Sequence, residues 1–206
     1  MISKSELIEE SGSRVQRRQA RTREALIRAT RRLIARNGFE GTTVAGIAQA
    51  AKVGFGTVYL YFASKDELLE AVLDDSIREI AEALRKLDTS GLAPADALVA
   101  LSKRFIVLVR AERDLLVLAW QQRPRPGRRG RTLAEVLTPL FREVIDRGVA
   151  ASDFTVRDAE VAARAITGMH IQLLFQREGA QTEEALLGTL PSMALAAVRH
   201  AGNVRR

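Results

Sequence analysis

The sequence predicts an all-α protein, on three observations. Apolar residues recur at helical spacing along nearly the whole chain, and no stretch shows the β-branched two-residue alternation of a strand. Turn residues such as Asn37-Gly38 and Asp88 to Gly91 punctuate the periodic segments into about nine helices.

The first helix spans about Arg17 to Arg36, with Leu26, Thr30, Leu33 and Ile34 on one stripe, and Asn37-Gly38 ends it because both residues tolerate the left-handed conformation. Thr43 is placed to cap a short helix carrying Val44, Ile47 and Ala48. The turn Ala51-Lys52-Val53-Gly54 leads into a second short helix ending near Phe62, and two short helices so joined form a helix-turn-helix pattern. Ser64 with Glu67 makes a capping box, so a long helix starts there and runs to about Leu87. Pro94 fits the first turn of a helix to about Arg110, and a shorter helix covers Leu115 to Gln121. Arg123 to Arg131 interleaves Pro124, Pro126, Gly127 and Gly130 with arginines and reads as a basic loop. Thr132 to Arg147, bent at Pro139 and closed by Gly148, is followed by Val156 to Glu178 and by Thr182 to His200, the last bent at Pro191.

This order divides the chain into a flexible N-terminal extension (1–16), a helix-turn-helix domain (17–63) and a longer helical domain (64–206). At 206 residues and 47% apolar content it can bury a substantial core. The longest unbroken apolar runs, Leu115 to Trp120 and Met193 to Val198, are too short to span a bilayer. Lys4, Glu6, Glu9 and Glu10 leave no room for the apolar core of a signal peptide, so a cytoplasmic protein without a membrane partner is expected. The chain has no Cys, which removes disulfides, thiolate nucleophiles and Cys-ligated zinc. Its two histidines, His170 and His200, lie far apart without metal-ligand spacing, and no nucleophile constellation appears. The expectation is a protein that is not an enzyme, with no metal and no cofactor.

The net charge of +7 is concentrated, with ten basic residues against two acidic ones between Arg14 and Phe62. Such an excess on one small domain is the footprint of a polyanion binder, because each neutralised phosphate releases condensed counterions. Within it, Thr42 to Leu68 reads TTVAGIAQAAKVGFGTVYLYFASKDEL. Val44, Ile47, Ala48, Val53, Val58 and Phe62 are spaced to pack the two short helices together, which turns Phe55, Gly56, Thr57, Tyr59 and Tyr61 outward. Hydroxyls there can donate to phosphate oxygens, Phe or a Thr methyl can meet a thymine methyl, and Gly56 permits close backbone approach. Thr43 can offer a second hydroxyl, and Lys65 adds a cation at the first turn of the next helix.

Residues 17 to 73, with the basic first helix, NGFEGTTV and the run A-x-V-x-x-G-T-V-Y-x-Y-F-x-S-K-D-E-L, resemble the TetR family of bacterial transcription regulators. The resemblance implies that Thr43, Tyr61 and Lys65 hold phosphates of double-stranded DNA while Phe55, Gly56, Thr57 and Tyr59 face the groove. It further implies a homodimeric repressor released from a palindromic operator by a small, largely apolar effector. Two positions depart from the family pattern: Lys52 stands where Gly is usual in the turn, and Gly54 replaces the usual Ser before the recognition helix.

Beyond Leu73 the resemblance is architectural. The helix after Ala159 is apolar on two lines, Val161, Ala165, Gly168 and Ala162, Ile166, Met169, Leu173, and the last helix is similarly apolar, so both need cover. A second copy is expected to supply it through Ala162, Ile166, Met169, Leu173, Leu190 and Leu195. Phe105, Trp120, Phe141 and His170 are the candidate effector contacts, although core packing predicts the same residues. A DNA-binding dimer without an effector and a helical interaction module remain alternatives, and the basic segment with Tyr59, Tyr61 and Lys65 speaks against the latter.

Overall fold

The computed structural model describes residues 4–121, 132–175 and 182–199, and all regular structure among them is helical. The chain divides into two compact units, residues 1–75 and 76–206.

In the first unit α1 (Lys4–Asn37) precedes α2 (Val44–Ala51) and α3 (Phe55–Tyr59), and the first half of α4 (Lys65–Arg85) completes it. Leu26, Ile27, Ala29, Thr30 and Ile34 form the buried stripe of α1, whereas Arg14 to Arg21 are exposed. The helix begins at Lys4, ahead of the start near Arg17 expected from the sequence. Glu, Leu, Ile, Arg and Gln on either side of Ser11-Gly12-Ser13 are adequate helix formers, and one interior Gly costs only about 1 kcal/mol. Gly38, at φ 71°, turns the chain out of α1 and returns the buried Phe39 to the core. Ile47, Val58, Phe62, Leu68 and Val72 fill the centre of the unit, all at most 2% exposed. The Thr43 hydroxyl caps α2 by accepting from Gly46 N–H at 3.1 Å, and Ser64 caps α4 by accepting from Glu67 N–H at 3.1 Å.

The turn between α2 and α3 closes on Lys52, whose φ of 56° and ψ of 44° are left-handed. Lys52 N–H donates to Gln49 O and Val53 N–H to Ala48 O, so two of the last four carbonyls of α2 are satisfied. A non-glycine residue there costs roughly 1–2 kcal/mol. The first compact unit ends at Asp75, inside α4. The first half of that helix is tied into the first unit by Lys65 on Phe39 and by an Arg31–Asp75 ion pair at 3.4 Å.

The second unit holds the rest of α4 with α5 (Pro94–Ala111), α6 (Arg113–Gln121), α7 (Leu133–Ala150), α8 (Ala159–Phe175) and α9 (Glu183–Arg199). Helix α5 packs on α7, α8 and α9, and α8 packs on α7 and α9. Leu98, Phe105, Ile106, Leu137, Phe141, Ile145, Ala163, Leu190, Ala194 and Val198 are fully buried. Pro139 and Pro191 lie within α7 and α9, which continue past them, each leaving one carbonyl a turn earlier without its helical N–H partner. Gly148 lies inside α7 rather than closing it: a methyl there would overlap the Phe154 ring, and its carbonyl accepts from Asp153 and Phe154 N–H at 2.9 and 3.1 Å. Ser152, at φ 62°, makes the turn instead. The predicted basic loop Arg123 to Arg131 lies outside the described residues.

Candidate functional site

On α3 the turn residues and the burial of Val58 decide which side chains face out. Phe55 and Tyr59, one turn apart, are 55% and 49% exposed, and their rings meet edge to face at 5.4 Å. Between them Gly56 has no atom within 4 Å of where a side chain would begin, so nothing in the protein's own packing requires glycine. Leu60, absent from the sequence-based set, is 81% exposed directly after α3. Its signal was present in the sequence: the Val58 and Phe62 spacing that turns Tyr59 and Tyr61 outward does the same for Leu60. Thr57 and Tyr61 are half-buried, and Thr43 is exposed at the start of α2. Gly54 caps α3 without a side-chain bond.

Lys65, at the first turn of α4, has a contact within the protein. Its ammonium donates to the Phe39 carbonyl oxygen at 2.9 Å and lies 4.1 Å from the centroid of the Phe39 ring. Lys65 therefore fastens α4 to the end of α1, whatever its remaining N–H groups meet. Part of the basic charge on α1 is likewise engaged locally: Arg23 lies over Phe62 at 5.2 Å, and Arg28 pairs with Glu24 at 3.4 Å.

In the second unit three of the four expected effector residues come together from three helices. His170 of α8 has its ring 5.1 Å from Phe141 of α7 and 6.1 Å from Phe105 of α5, and all three are wholly buried. Trp120 is the next-to-last residue of α6, and its side chain lies outside the described residues. The Nδ1 of His170 is 2.8 Å from Ile166 O, and because a carbonyl only accepts, Nδ1 carries the proton. Nε2 is buried with no hydrogen-bond partner. Burial holds the imidazole below the ordinary histidine range, with the Ile166 bond pulling weakly the other way. Ser102, one turn before Phe105, is a second buried polar group without a partner, detectable in sequence as the hydroxyl that interrupts the α5 stripe Leu98, Leu101, Phe105, Val109.

The expected dimer residues separate. Ile166 and Leu190 are 1% and 0% exposed within the single chain, so they are core, while Ala162, Met169, Leu173 and Leu195 are half-buried. The outward line of α8 is the other one, Val161, Ala165, Gly168 and Gln172, with Ala185, Thr189, Ser192 and Met193 facing out on α9. A helix apolar all round carries no phase in its sequence, and packing against α7 supplied it.

The sequence pattern of bacterial regulatory proteins of the tetR family matches residues 26–72, and that of the Tetracyclin repressor-like C-terminal domain matches residues 91–198. The chain belongs to the tetR family. This TetR-family protein carries its helix-turn-helix pair, α2 and α3, within the matched residues 26–72. It is 33% identical over 103 residues to the HTH-type transcriptional regulator HbdR of Aromatoleum sp. (strain CIB), a match covering 48% of this chain and 43% of HbdR, so it spans less than half of that relative. Among solved structures the TetR-family fold recurs in RolR in complex with resorcinol, at 24% identity and a TM-score of 0.66 over 89% of this chain and 90% of RolR. It recurs also in FadR of Bacillus subtilis in complex with stearoyl-CoA, at 18% identity and a TM-score of 0.64 over 85% and 98% of the two chains. Within the described residues of this TetR regulator no helix is long and apolar enough to cross a membrane, and no group of three or more His, Cys, Asp or Glu could hold a metal ion.

Proposed function

We propose that this TetR-family regulator is a homodimeric repressor that reads a palindromic operator and is released from it by a small, largely apolar ligand. The observation that carries the DNA-reading part is the α3 surface, where Phe55, Tyr59 and Leu60 stand exposed around a Gly56 that the protein's own packing does not require. Large apolar side chains on a helix-turn-helix surface fit contact with thymine methyls and sugars, and Gly56 allows the helix to approach closely. Thr43, Thr57 and Tyr61 supply hydroxyls for phosphates, and the exposed arginines of α1 supply the salt-dependent term.

Two recognition helices in successive major grooves need half-sites about 34–36 Å apart, hence a two-fold dimer. The small and apolar outward lines of α8 and α9 suit that contact, and Val161, Ala165 and Met193 on them are exposed in the single chain. The effector reading rests on Phe105, Phe141 and His170, with Trp120 as a further contact. The ligands held by RolR and FadR, resorcinol and stearoyl-CoA, are an aromatic diol and a long acyl thioester, and both carry apolar bodies. Release works by linkage: a 100-fold loss of DNA affinity requires a ligand that prefers the DNA-free state by about 2.7 kcal/mol. The complete burial of Phe105, Phe141 and His170 also fits a second reading, a DNA-binding dimer with no effector.

Selection of bound genomic fragments, followed by salt titration of the recovered site, tests the DNA part. Affinity is expected to fall steeply between about 50 and 200 mM salt, and a shallow slope would reject it. Screening small molecules for release of that fragment decides between the two effector readings.

A further inference from the structure

We infer that the buried Phe105–Phe141–His170 cluster selects an effector by an un-ionised hydroxyl group, a phenol-type donor that gives its proton to a hydrogen bond with His170 Nε2. The inference rests on the effector reading above and names the chemistry that reading leaves open.

A neutral imidazole has one N–H, and Ile166 O at 2.8 Å takes it from Nδ1. Nε2 is therefore an acceptor, buried without a partner. A buried acceptor left unpaired weakens the fold, so a donor delivered there removes that penalty and adds its own bond. Neither neighbouring ring can supply it, because Phe105 and Phe141 offer only carbon. They offer instead two apolar faces suited to an aromatic or alicyclic body.

The same geometry rejects other head groups. A carboxylate or phosphate brings only acceptors and a charge, both disfavoured beside a lone pair in an apolar core. It would need a protonated His170, and burial disfavours the imidazolium. An ammonium could donate, but at the cost of placing a full charge between two phenyl rings. A metal ion is disfavoured too, since His170 belongs to no group of three or more ligating side chains among the described residues. An ether or methyl analogue fills the same volume and leaves Nε2 unpaired.

The test uses the full chain and three matched probes: 4-ethylphenol, its methyl ether and 4-ethylbenzoate, with calorimetric affinity and DNA release as readouts. Wild-type protein is expected to bind the phenol at least about tenfold more tightly than the ether or the benzoate, the ratio one recovered hydrogen bond supports. His170→Asn keeps a donor for Ile166 O but has no acceptor at the Nε2 position, and it is expected to lose the preference. Should that variant not fold, the wild type still decides. With only two histidines in the chain, the ring nitrogens of His170 can be followed by NMR, and Nε2 should be unprotonated in the free protein and shift with the phenol alone. Equal binding of phenol and ether, tighter binding of the benzoate, or a protonated Nε2 in the free protein overturns the inference. If all three probes fail while another compound, such as an acyl-CoA, binds and releases DNA, the hydroxyl inference falls and the effector reading stands. If a broad apolar panel neither binds nor releases DNA, both fall.

Discussion

In residues 1–75 the side chains that break the burial rule include apolar ones outside: Phe55, Tyr59 and Leu60 are 55%, 49% and 81% exposed. In residues 76–206 they include polar groups inside, His170 and Ser102, both 0% exposed and both with an unpaired polar atom. The two kinds of exception differ in cost. An exposed apolar group forgoes a favourable burial that a covering surface can supply later, whereas an unpaired buried polar group weakens the fold at all times. The first pattern suits a partner that covers the protein from outside. The second suits a molecule admitted into the core, or a core that tolerates a modest penalty.

The largest test of this contrast compares neighbouring residues of α8. Ile166→Glu places a carboxylate at a site 1% exposed and is expected to cost at least about 5 kcal/mol, unfolding the second unit. Ala165→Glu, on the exposed line, should leave the denaturation midpoint nearly unchanged while abolishing the proposed dimer in sedimentation. A stable Ile166→Glu protein would show that this line is not core. Next in size, Phe141→Ala should destabilise by about 3–5 kcal/mol in urea denaturation. Phe55→Ala should stay within about 0.5 kcal/mol of wild type and lose DNA affinity instead. If both variants behaved alike, the inside-outside distinction would be lost.

Lys65 offers an intermediate case, because it was expected to serve the ligand and also serves the fold. Lys65→Ala is expected to lower stability by about 1–2 kcal/mol, through the Phe39 carbonyl bond and the ring contact, alongside any loss of DNA affinity. The exposed Arg21→Ala should leave stability alone and flatten the salt slope by about one unit. An unchanged melting curve for Lys65→Ala would restore the pure phosphate role.

The smallest effect concerns His170. Its folded pKa lies below the ordinary value of 6.5, so the unfolded chain binds its proton first as pH falls. The associated stability is complete above about pH 6.5 and is lost below it, at no more than about 1.4 kcal/mol per pH unit, until the folded protein's own value is passed. His170→Phe should flatten the dependence of the unfolding midpoint between about pH 6.5 and 5.5. A wild-type midpoint that does not fall over this range would place the imidazole in a polar environment.

The helix positions were legible because their signals are local. Thr43 and Ser64 cap, Gly38 turns the chain out of α1, and Pro94 begins α5, each by a conformational preference acting within a few residues. The α3 surface was legible for a related reason, since burial of Val58 and Phe62 fixes the phase of a short helix. Other features depended on residues distant in sequence. Lys65 is turned inward by a carbonyl 26 residues earlier, and Gly148 is explained by the ring of Phe154 rather than by a helix end. The sequence by itself determined the succession of helices, the caps at Thr43 and Ser64, and the outward placement of Phe55 and Tyr59. Only the tertiary structure decided which apolar line of α8 faces inward, and that Phe105, Phe141 and His170 meet. A helix apolar on several sides can satisfy its own backbone in any rotation, so only its neighbours choose one.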